Sequence, residues 1–250
     1  MLADLLYSFK DVEFIFNLFG YISFRSGLSL VSAFFLVIFL MPYWIKIQQD
    51  VFPSGQPIRN DGPETHYHKK GTPALGGVLI LFSIIISSIL WTQNFSIFNY
   101  ILVLTLILFG LIGFFDDYKK VKFGNGISTK IKFSCQLLAT LAIYFIIKYN
   151  GFDLNKFSIP FLKNVSIEIS YFYFILILLI VIGSTNATNL TDGLDGLVSM
   201  PLIFVFLTFA IFAYVLGNIN FSDYLLVNYI KGSGEIVIFC TSAIGALLGF

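Results

Sequence analysis

From about residue 26 onward, long apolar stretches alternate with short polar segments along the chain. Seven of them approach or meet the roughly twenty residues that a helix needs to cross the hydrocarbon of a bilayer. They lie at about 26–45, 73–92, 97–115, 131–148, 168–186, 197–217 and 235–250. Because backbone polar groups in lipid must bond within their own segment, such stretches form helices. The pattern predicts an all-α, polytopic integral membrane helix bundle. We expect one transmembrane domain over residues 1–250 with about seven spans, the last incomplete.

The composition supports a membrane protein and narrows its partners. Hydrophobic residues make up 57% of the 250 residues and charged residues only 12%, with a mean hydropathy of +0.87. Soluble domains contain about 25% charged residues. The formal net charge of +1 provides no basic field for nucleic acid, so the expected environment is the lipid bilayer. Cys135 and Cys240 lie inside apolar stretches, where cysteine usually behaves as a small hydrophobic residue.

Alternate crossing of the bilayer sorts the polar connections into two groups. The connections after the first, third and fifth spans share one face and cover about residues 46–72, 116–131 and 187–196. Together with Lys132, just past the second connection, this group carries nine basic residues, against six on the other face when the N-terminal segment is included. Cytoplasmic connections are enriched in lysine and arginine. We therefore expect the first group to be cytoplasmic and the N-terminus to lie outside.

Three polar blocks fall on the predicted cytoplasmic face. They are 58-IRNDGPETHYHKKGTPALGG-77, 116-DDYKKVKFGNGISTKIK-132 and 186-NATNLTDGLDGL-197. The connections on the other face, such as residues 149–164, contain no comparable cluster. This distribution predicts one active face that is assembled from three connections.

Asp116 and Asp117 directly follow the third apolar stretch. Adjacent carboxylates near low dielectric repel each other unless a cation shares them. Magnesium is usually held by one or two carboxylates together with substrate phosphates, and lysines bind phosphate as point charges. The pattern is therefore compatible with a magnesium site. A solvated helix end, balanced by Lys119 and Lys120, accounts for the same residues equally well and stays open.

The third block combines short polar side chains with glycines. If residues 192 and 195 belong to a helix, Asp192 and Asp195 lie one turn apart on the same face and can point at one ligand. The alternative is that one aspartate caps the sixth span, because carboxylates favour helix N-termini. Capping explains one aspartate, but not two together with Asn186 and Asn189. The block therefore favours a binding function.

The first block leads into the second span through a basic, glycine-rich turn. Lys69 and Lys70 precede a predicted helix start, whose unpaired amides and dipole favour an anion such as phosphate. His66 and His68 lack a third ligand and are more typical of a solvated loop. The sequence 245-GALLG-249 matches G-x-x-x-G, but apolar helices often contain this spacing by chance, so no role is predicted for it.

Taken together, the blocks provide acidic pairs suited to magnesium and basic turns suited to phosphate beside a membrane. They predict a lipid substrate whose phosphate lies at the water boundary. Its reaction partner would be a soluble molecule that also carries phosphate.

The blocks also resemble a known family. RNDGPETHYHKKGTPALGG, GFFDDYKK, STNATNLTDGLDGLVSMP and GSGEIVIFC followed by GALLGF are similar, in order and approximate spacing, to the signature segments of the phospho-N-acetylmuramoyl-pentapeptide transferase family. This family belongs to the polyprenyl-phosphate N-acetylhexosamine-1-phosphate transferase superfamily, and the resemblance covers about residues 20–250. The sister enzymes that transfer N-acetylglucosamine-1-phosphate share the second and third blocks more widely than the first.

The resemblance implies an activity in peptidoglycan synthesis. Phospho-MurNAc-pentapeptide would pass from UDP-MurNAc-pentapeptide to undecaprenyl phosphate, giving lipid I and UMP, with Mg²⁺ required. It also implies the bacterial cytoplasmic (inner) membrane and a homodimer. Asp116 and Asp117 would form the catalytic centre and contribute to metal binding. The remaining implied site residues contact the nucleotide sugar, its uridine or its phosphates: Lys69, Lys120, Lys132, Asn189, Asp192 and Asp195.

Two departures from the family pattern stand out. The chain has GTPALGG where the family usually has GTPTMGG, so Ala74 replaces a hydroxyl-bearing residue. Similar proteins continue after GALLGF with an FMGDxGS loop, which holds the principal magnesium ligand, a histidine-rich loop and further spans, for about ten spans in all. We therefore expect the 250 residues alone not to catalyse the transfer.

Two non-enzymatic functions remain as alternatives. Carboxylates near spans can mark the ion path of a transporter, but the predicted span interiors lack acidic residues. A scaffold that binds other proteins of envelope synthesis is the second alternative. Binding of UDP-MurNAc-pentapeptide would favour the enzyme over both.

Overall fold

A computed structural model describes residues 1–52, 75–152, 156–158, 166–168, 170–191 and 196–250. Its α-helices are α1 Leu2–Tyr7, α2 Ile22–Val51, α3 Gly76–Trp91, α4 Ile97–Phe123, α5 Thr129–Tyr149, α6 Ser170–Thr191, α7 Ser199–Leu216, α8 Ile219–Leu225 and α9 Ile236–Gly249. Short 3-10 helices cover Phe14–Gly20 and Ser233–Glu235, and strands β1 Lys156–Ser158 and β2 Ser166–Glu168 pair antiparallel. Apart from this small hairpin, the regular secondary structure of the described residues is helical. The predicted all-α membrane bundle is confirmed.

Each of the seven predicted spans corresponds to a helix, α2 to α7 and α9. Five of these helices are long and apolar enough to cross a membrane, and two shorter apolar helices cover Gly76–Trp91 and Ser233–Gly249. The helix ends differ from the prediction, because α2, α4 and α6 continue beyond their apolar stretches to Val51, Phe123 and Thr191. The first residues of all three predicted cytoplasmic connections are therefore helical.

The end of α4 shows why the apolar stretch was a poor guide to the helix boundary. Backbone hydrogen bonds do not depend on side-chain polarity, so the helix continues through Asp116 and Asp117 until Gly124. Gly124 adopts a left-handed conformation with φ of 77°, and its N–H donates to the Lys120 carbonyl at 2.9 Å. Glycine is the residue best suited to this C-terminal conformation. The end of α4 is therefore set by Gly124 and not by Asp116, the first charged residue after the apolar stretch.

The chain divides into two compact units, of which the first comprises Met1–Gly126 and Gly196–Phe250. In this unit α9 packs against α2, α3 and α7. One apolar cluster joins residues of α2, α3 and α9, namely Ala33, Val37, Ile84, Phe239, Ala243 and Ala246. Three of these six residues are alanines, and such small residues allow helix backbones to lie close together in membrane helix pairs.

The G-x-x-x-G sequence, for which no role was predicted, lies at this contact. A Cβ atom at Gly245 would overlap the backbone carbonyl of Leu30, and one at Gly249 would lie 2.7 Å from the carbonyl oxygen of Phe34. Both partners are backbone atoms of α2, which cannot rotate away as a side chain can. The two glycines therefore allow α9 to approach α2.

Two sets of polar contacts link the helices of the same unit. Arg25, at the start of α2, is only 2% exposed and forms an ion pair with Glu235, just before α9. Deeper in the unit, Ser87 Oγ donates to the Ser29 carbonyl at 2.6 Å, and Ser29 Oγ donates to the Ile238 carbonyl at 3.0 Å. These bonds link α2, α3 and α9 where side chains have little access to water. They satisfy groups that would otherwise be costly to bury.

The second unit comprises residues 127–195 and contains α5, the β1–β2 hairpin and α6. Tyr144, late in α5, packs edge-to-face on Phe174, early in α6, with ring centroids 5.0 Å apart. Asn186, late in α6, donates from Nδ2 to Oε1 of Gln136, early in α5, at 3.1 Å. The two helices therefore run antiparallel, and the start of α5 lies beside the end of α6.

Candidate functional site

The paired aspartates of the second polar block lie in the last two turns of α4. Lys120 Nζ is 2.8 Å from Asp116 Oδ2 and donates to Asp117 Oδ1 at 3.0 Å. Residues three and four positions apart are neighbours on a helix surface, so one lysine can reach both carboxylates. The two carboxylates thus share one cation. The sequence left open a helix end whose carboxylates are balanced by its own lysines. Lys120 has this balancing role in the structure.

The two aspartates differ in their surroundings. The Asp116 side chain is only 6% exposed, whereas the Asp117 side chain is 38% exposed. A buried carboxylate needs a charged or hydrogen-bonding partner to stay ionised, and Lys120 is one such partner for Asp116. Asp117 keeps access to solvent. The pair therefore consists of one carboxylate held inside the protein and one that can meet a ligand.

A glycine turn closes over the buried aspartate. A Cβ atom at Gly126 would lie 2.6 Å from Asp116 Oδ1 and 3.1 Å from Cε of Lys120. Any side chain at this position would press on the carboxylate and on the lysine stem. The sequence analysis did not single out Gly126. The G-N-G sequence shortly after the aspartate pair was the available indication.

Aromatic contacts fix the end of α4 beside the end of α2. The Tyr118 ring stacks on Phe114 with centroids 6.0 Å apart and meets the edge of Phe52 at 5.8 Å. Lys122 Nζ lies 3.3 Å from the Tyr118 hydroxyl. Phe52 is where α2 ends, so the end of α4 that carries the aspartate pair lies beside the end of α2.

The end of α2 is joined in turn to the start of α3. Trp44 Nε1 donates to the Leu75 carbonyl at 2.9 Å, and the Leu75 N–H donates to Gln48 Oε1 at 3.2 Å. Gln48 thus satisfies a backbone amide that precedes α3, where helical partners are absent. Three helix termini of the first unit are therefore linked, the end of α4 to the end of α2 and the end of α2 to the start of α3.

The second unit carries two further predicted site residues at one end. Lys132 lies in the first turn of α5 and is partly buried, and Asn189 lies exposed in the last turn of α6. Gln136 and Asn186 connect these two turns through the hydrogen bond described above. Gln136 is almost fully buried, and the sequence analysis missed it because a lone glutamine in an apolar stretch carries no motif. Lys69, Asp192 and Asp195 lie outside the described residues and stay predictions.

The donor set at the end of α4 fits a divalent cation. Oδ2 of Asp116 and Oδ1 of Asp117 approach one common point, which the Lys120 ammonium occupies. Magnesium is usually held by one or two carboxylates, with substrate phosphates and water completing its shell. No group of three or more His, Cys, Asp or Glu side chains that could hold a metal occurs among the described residues. The pair therefore suits a cation that a phosphate substrate helps to bind.

These features define a polytopic membrane protein with an acidic, lysine-balanced centre at the ends of its helices. The family model for glycosyl transferase family 4 matches residues 99–250. The phospho-N-acetylmuramoyl-pentapeptide-transferase of Desulfotalea psychrophila is 42% identical to the chain, and that of Rickettsia prowazekii is 40% identical. Each alignment covers the whole chain and 70% of the relative's length. The chain therefore belongs to glycosyl transferase family 4, among the phospho-N-acetylmuramoyl-pentapeptide transferases.

Proposed function

We propose that the protein transfers phospho-MurNAc-pentapeptide from UDP-MurNAc-pentapeptide to undecaprenyl phosphate at the cytoplasmic face of the bacterial inner membrane. The products are lipid I and UMP. The observation that carries this proposal is the pair Asp116 and Asp117, which share one cation at the end of a membrane helix in a chain 42% identical to a transferase of that name. The same family resemblance predicts a homodimer.

The place of the aspartate pair suits the two substrates. An oxygen of the lipid phosphate attacks the sugar-bearing phosphorus of the UDP-sugar, and the bond from that phosphorus to the bridging oxygen breaks to release UMP. Such displacements need alignment and neutralisation of charge more than covalent help from the protein. α4 is apolar up to Phe115 and acidic directly afterwards. A lipid can therefore keep its chain in the bilayer while its phosphate meets the aspartates.

Magnesium, when bound, neutralises the pyrophosphate and stabilises the charge that develops on the leaving UMP. Asp116 and Asp117 are the described residues that would hold it. Asp117 is the more exposed of the two, and we assign to it the direct approach to the reacting phosphates. Asp116, held inside by Lys120 and covered by Gly126, keeps the pair in place.

The nucleotide sugar needs cations and amide groups around it. By the family resemblance, Lys120 and Lys132 would supply positive charge for phosphate, and Asn189, which is exposed in the last turn of α6, would offer an amide. Lys69, Asp192 and Asp195 complete the proposed set on the basis of the family resemblance. The hydrogen bond between Gln136 and Asn186 supports this role, since it holds the turn that precedes Asn189.

Nucleotide-sugar selectivity tests the proposal and separates it from the sister transferase. We expect the purified 250-residue chain in nanodiscs to bind UDP-MurNAc-pentapeptide in calorimetry and to bind UDP-GlcNAc far more weakly. Preference for UDP-GlcNAc would assign the chain to the sister activity. Binding of neither nucleotide sugar by a folded chain would favour a scaffold.

A separate expectation concerns the catalytic activity of the 250 residues alone. The chain spans 70% of the length of the relatives. We expect it to form no lipid I from labelled UDP-MurNAc-pentapeptide by itself. A chimera that continues after Phe250 with the remaining sequence of the Desulfotalea psychrophila relative should form lipid I. Normal turnover by the 250 residues would refute the first expectation, and an inactive, folded chimera would refute the proposed activity.

The proposed cytoplasmic face is tested by labelling of single cysteines in intact cells and in inverted membrane vesicles. Cysteines at positions 61, 117 and 192, introduced into a chain in which Cys135 and Cys240 are serine, should all react with a membrane-impermeant maleimide in inverted vesicles only. A cysteine at position 151, in the connection after α5, should react in intact cells and serves as the control. Labelling of the first three positions from different sides would contradict the proposal.

A further inference from the structure

The shared cation position between the aspartates is filled by a residue of the chain itself. Lys120 Nζ lies within 3.0 Å of one oxygen of each carboxylate, and its side chain is 31% exposed. The neighbouring Lys119 is exposed and forms no ion pair with a described carboxylate. Lys120 is thus distinguished from its neighbour by contact and not by charge.

An ammonium group and a divalent cation cannot both occupy this position. They would use the same carboxylate oxygens, and like charges a few ångströms apart repel strongly where water is partly excluded. A cation stabilises the aspartates, because Asp116 is buried and the two carboxylates are adjacent. A divalent cation can therefore occupy this shared position only if Lys120 leaves it.

We propose that Lys120 is an exchangeable counter-ion. It holds Asp116 and Asp117 while no metal is bound, a divalent cation displaces it, and the released ammonium then binds a substrate phosphate. The flexible four-carbon stem and the partial exposure of the side chain permit this movement. This inference rests on the proposed function for the identity of the phosphate, but the displacement by a metal does not depend on it.

The exchange makes the binding of metal and the binding of phosphate cooperative. A metal ion frees the lysine for the anion, and an anion that captures the lysine clears the position for the metal. Coupling between two ligands is reciprocal, so each raises the affinity for the other. Lys120 acts here as a positioning residue. Its removal should raise the affinity for the metal and weaken the coupling between metal and phosphate.

The first test is titration of Mn²⁺, followed by electron paramagnetic resonance, on the chimera in nanodiscs, which includes the loop that the family resemblance implies for the principal magnesium ligand. We expect Lys120→Met to bind Mn²⁺ roughly fivefold more tightly than the unsubstituted chain, since two partly exposed ion pairs together have about this strength. Lys119→Met, which removes the same charge from the same helix, should change the affinity less than about twofold. Unchanged or weaker binding by Lys120→Met, an effect equal to that of Lys119→Met, or no Mn²⁺ binding by any chain would overturn the proposal.

Coupling is tested by repeating the titration with saturating UDP-MurNAc-pentapeptide. The unsubstituted chain should gain affinity for Mn²⁺ when the nucleotide sugar is present, and Lys120→Met should gain clearly less. If both chains gain equally, the ammonium does not move between metal and phosphate. A chain that shows displacement by Mn²⁺ but forms no lipid I as a chimera would retain the exchange and lose the proposed activity.

A second measurement needs no variant and covers the case in which Lys120→Met does not fold. The unsubstituted chain is treated briefly with an amine-reactive reagent, and labelling at each lysine is quantified by mass spectrometry. Mn²⁺ should raise labelling of Lys120 severalfold while labelling of Lys119 stays constant. Equal labelling of Lys120 with and without Mn²⁺ would overturn the proposal.

Discussion

Arg25 and Glu235 are 210 positions apart in the sequence and form a bidentate ion pair inside the first unit. Arg25 Nη1 donates to Glu235 Oε2 and Nη2 donates to Oε1, both at 2.7 Å. Nη1 also donates to the Trp91 carbonyl at 3.0 Å, and Glu235 Oε2 accepts from the Gln93 N–H at 3.0 Å. The pair thus ties the start of α2 and the end of α3 to the residue before α9. It lies at the end of these helices opposite to Asp116.

Removal of one partner of this pair should destabilise the protein strongly. Arg25→Met leaves the Glu235 carboxylate largely buried without its cation, and breaking a buried pair costs about 3–5 kcal/mol. We expect the midpoint of thermal unfolding in detergent to fall in this variant. The double variant Arg25→Met with Glu235→Met should recover part of the loss, because no unpaired charge remains. A double variant less stable than Arg25→Met would contradict a structural role of the pair.

The packing of α9 on α2 gives a second prediction about stability. Gly245→Ala places a Cβ atom against the Leu30 carbonyl, whereas a Cβ atom at Gly27 meets nothing within 4 Å. Overpacking of a close contact costs about 1–3 kcal/mol. Gly245→Ala should therefore lower the unfolding midpoint, and Gly27→Ala should leave it unchanged or raise it, since alanine is the better helix former. Equal effects of the two substitutions would show that α9 does not approach α2 as described.

Because the two aspartates differ in burial, we expect Asp116→Asn and Asp117→Asn to differ in their effect on stability. Asp117→Asn should bind Mn²⁺ weakly and, in the chimera, lower lipid I formation at least about 100-fold, which is the usual range for a group acting on the reacting atoms. Its unfolding midpoint should stay close to that of the unsubstituted chain, because Asp117 is partly exposed. Asp116→Asn should lose activity and also unfold at lower temperature. Full activity of Asp117→Asn would exclude it from the reaction.

Gly126 is predicted to be required for the shape of the aspartate pair. Gly126→Ala forces a Cβ atom onto Asp116 Oδ1 and the stem of Lys120, so the three charged groups must shift. We expect altered Mn²⁺ affinity and reduced lipid I formation by the chimera. Asn125→Ala, at the exposed neighbouring position, is the matched control and should leave both unchanged. The same result for both substitutions would show that the turn does not support the pair.

Hydropathy alone predicted the helices because burial in lipid demands long apolar stretches with internal backbone bonds. All seven stretches became helices, but three helix ends lay further on than expected. The end of an apolar stretch marks where side chains change solvent and does not mark where backbone hydrogen bonds stop. Gly124 marks the end of α4 more accurately than Asp116 does.

The pairings within the first unit were not accessible from one sequence. Arg25 precedes the first predicted span by one residue, yet it lies buried in α2, and nothing in the sequence links it to Glu235. The G-x-x-x-G sequence was dismissed because its spacing is frequent, and only the close approach of Leu30 gives it meaning. For the candidate site, the aspartates and Lys120 were predicted as residues. That both carboxylates share a single cation position could be seen only in the structure.

We propose that Asp116 and Asp117 form the reaction centre of a transferase that makes lipid I. The most direct measurement is lipid I formation from labelled UDP-MurNAc-pentapeptide and undecaprenyl phosphate by the chimera and by its Asp117→Asn variant, with folding checked by thermal unfolding. We expect lipid I and UMP in equal amounts from the chimera and at least about 100-fold less of both from the variant. A folded chimera that forms no lipid I, or equal rates for the two proteins, would contradict it.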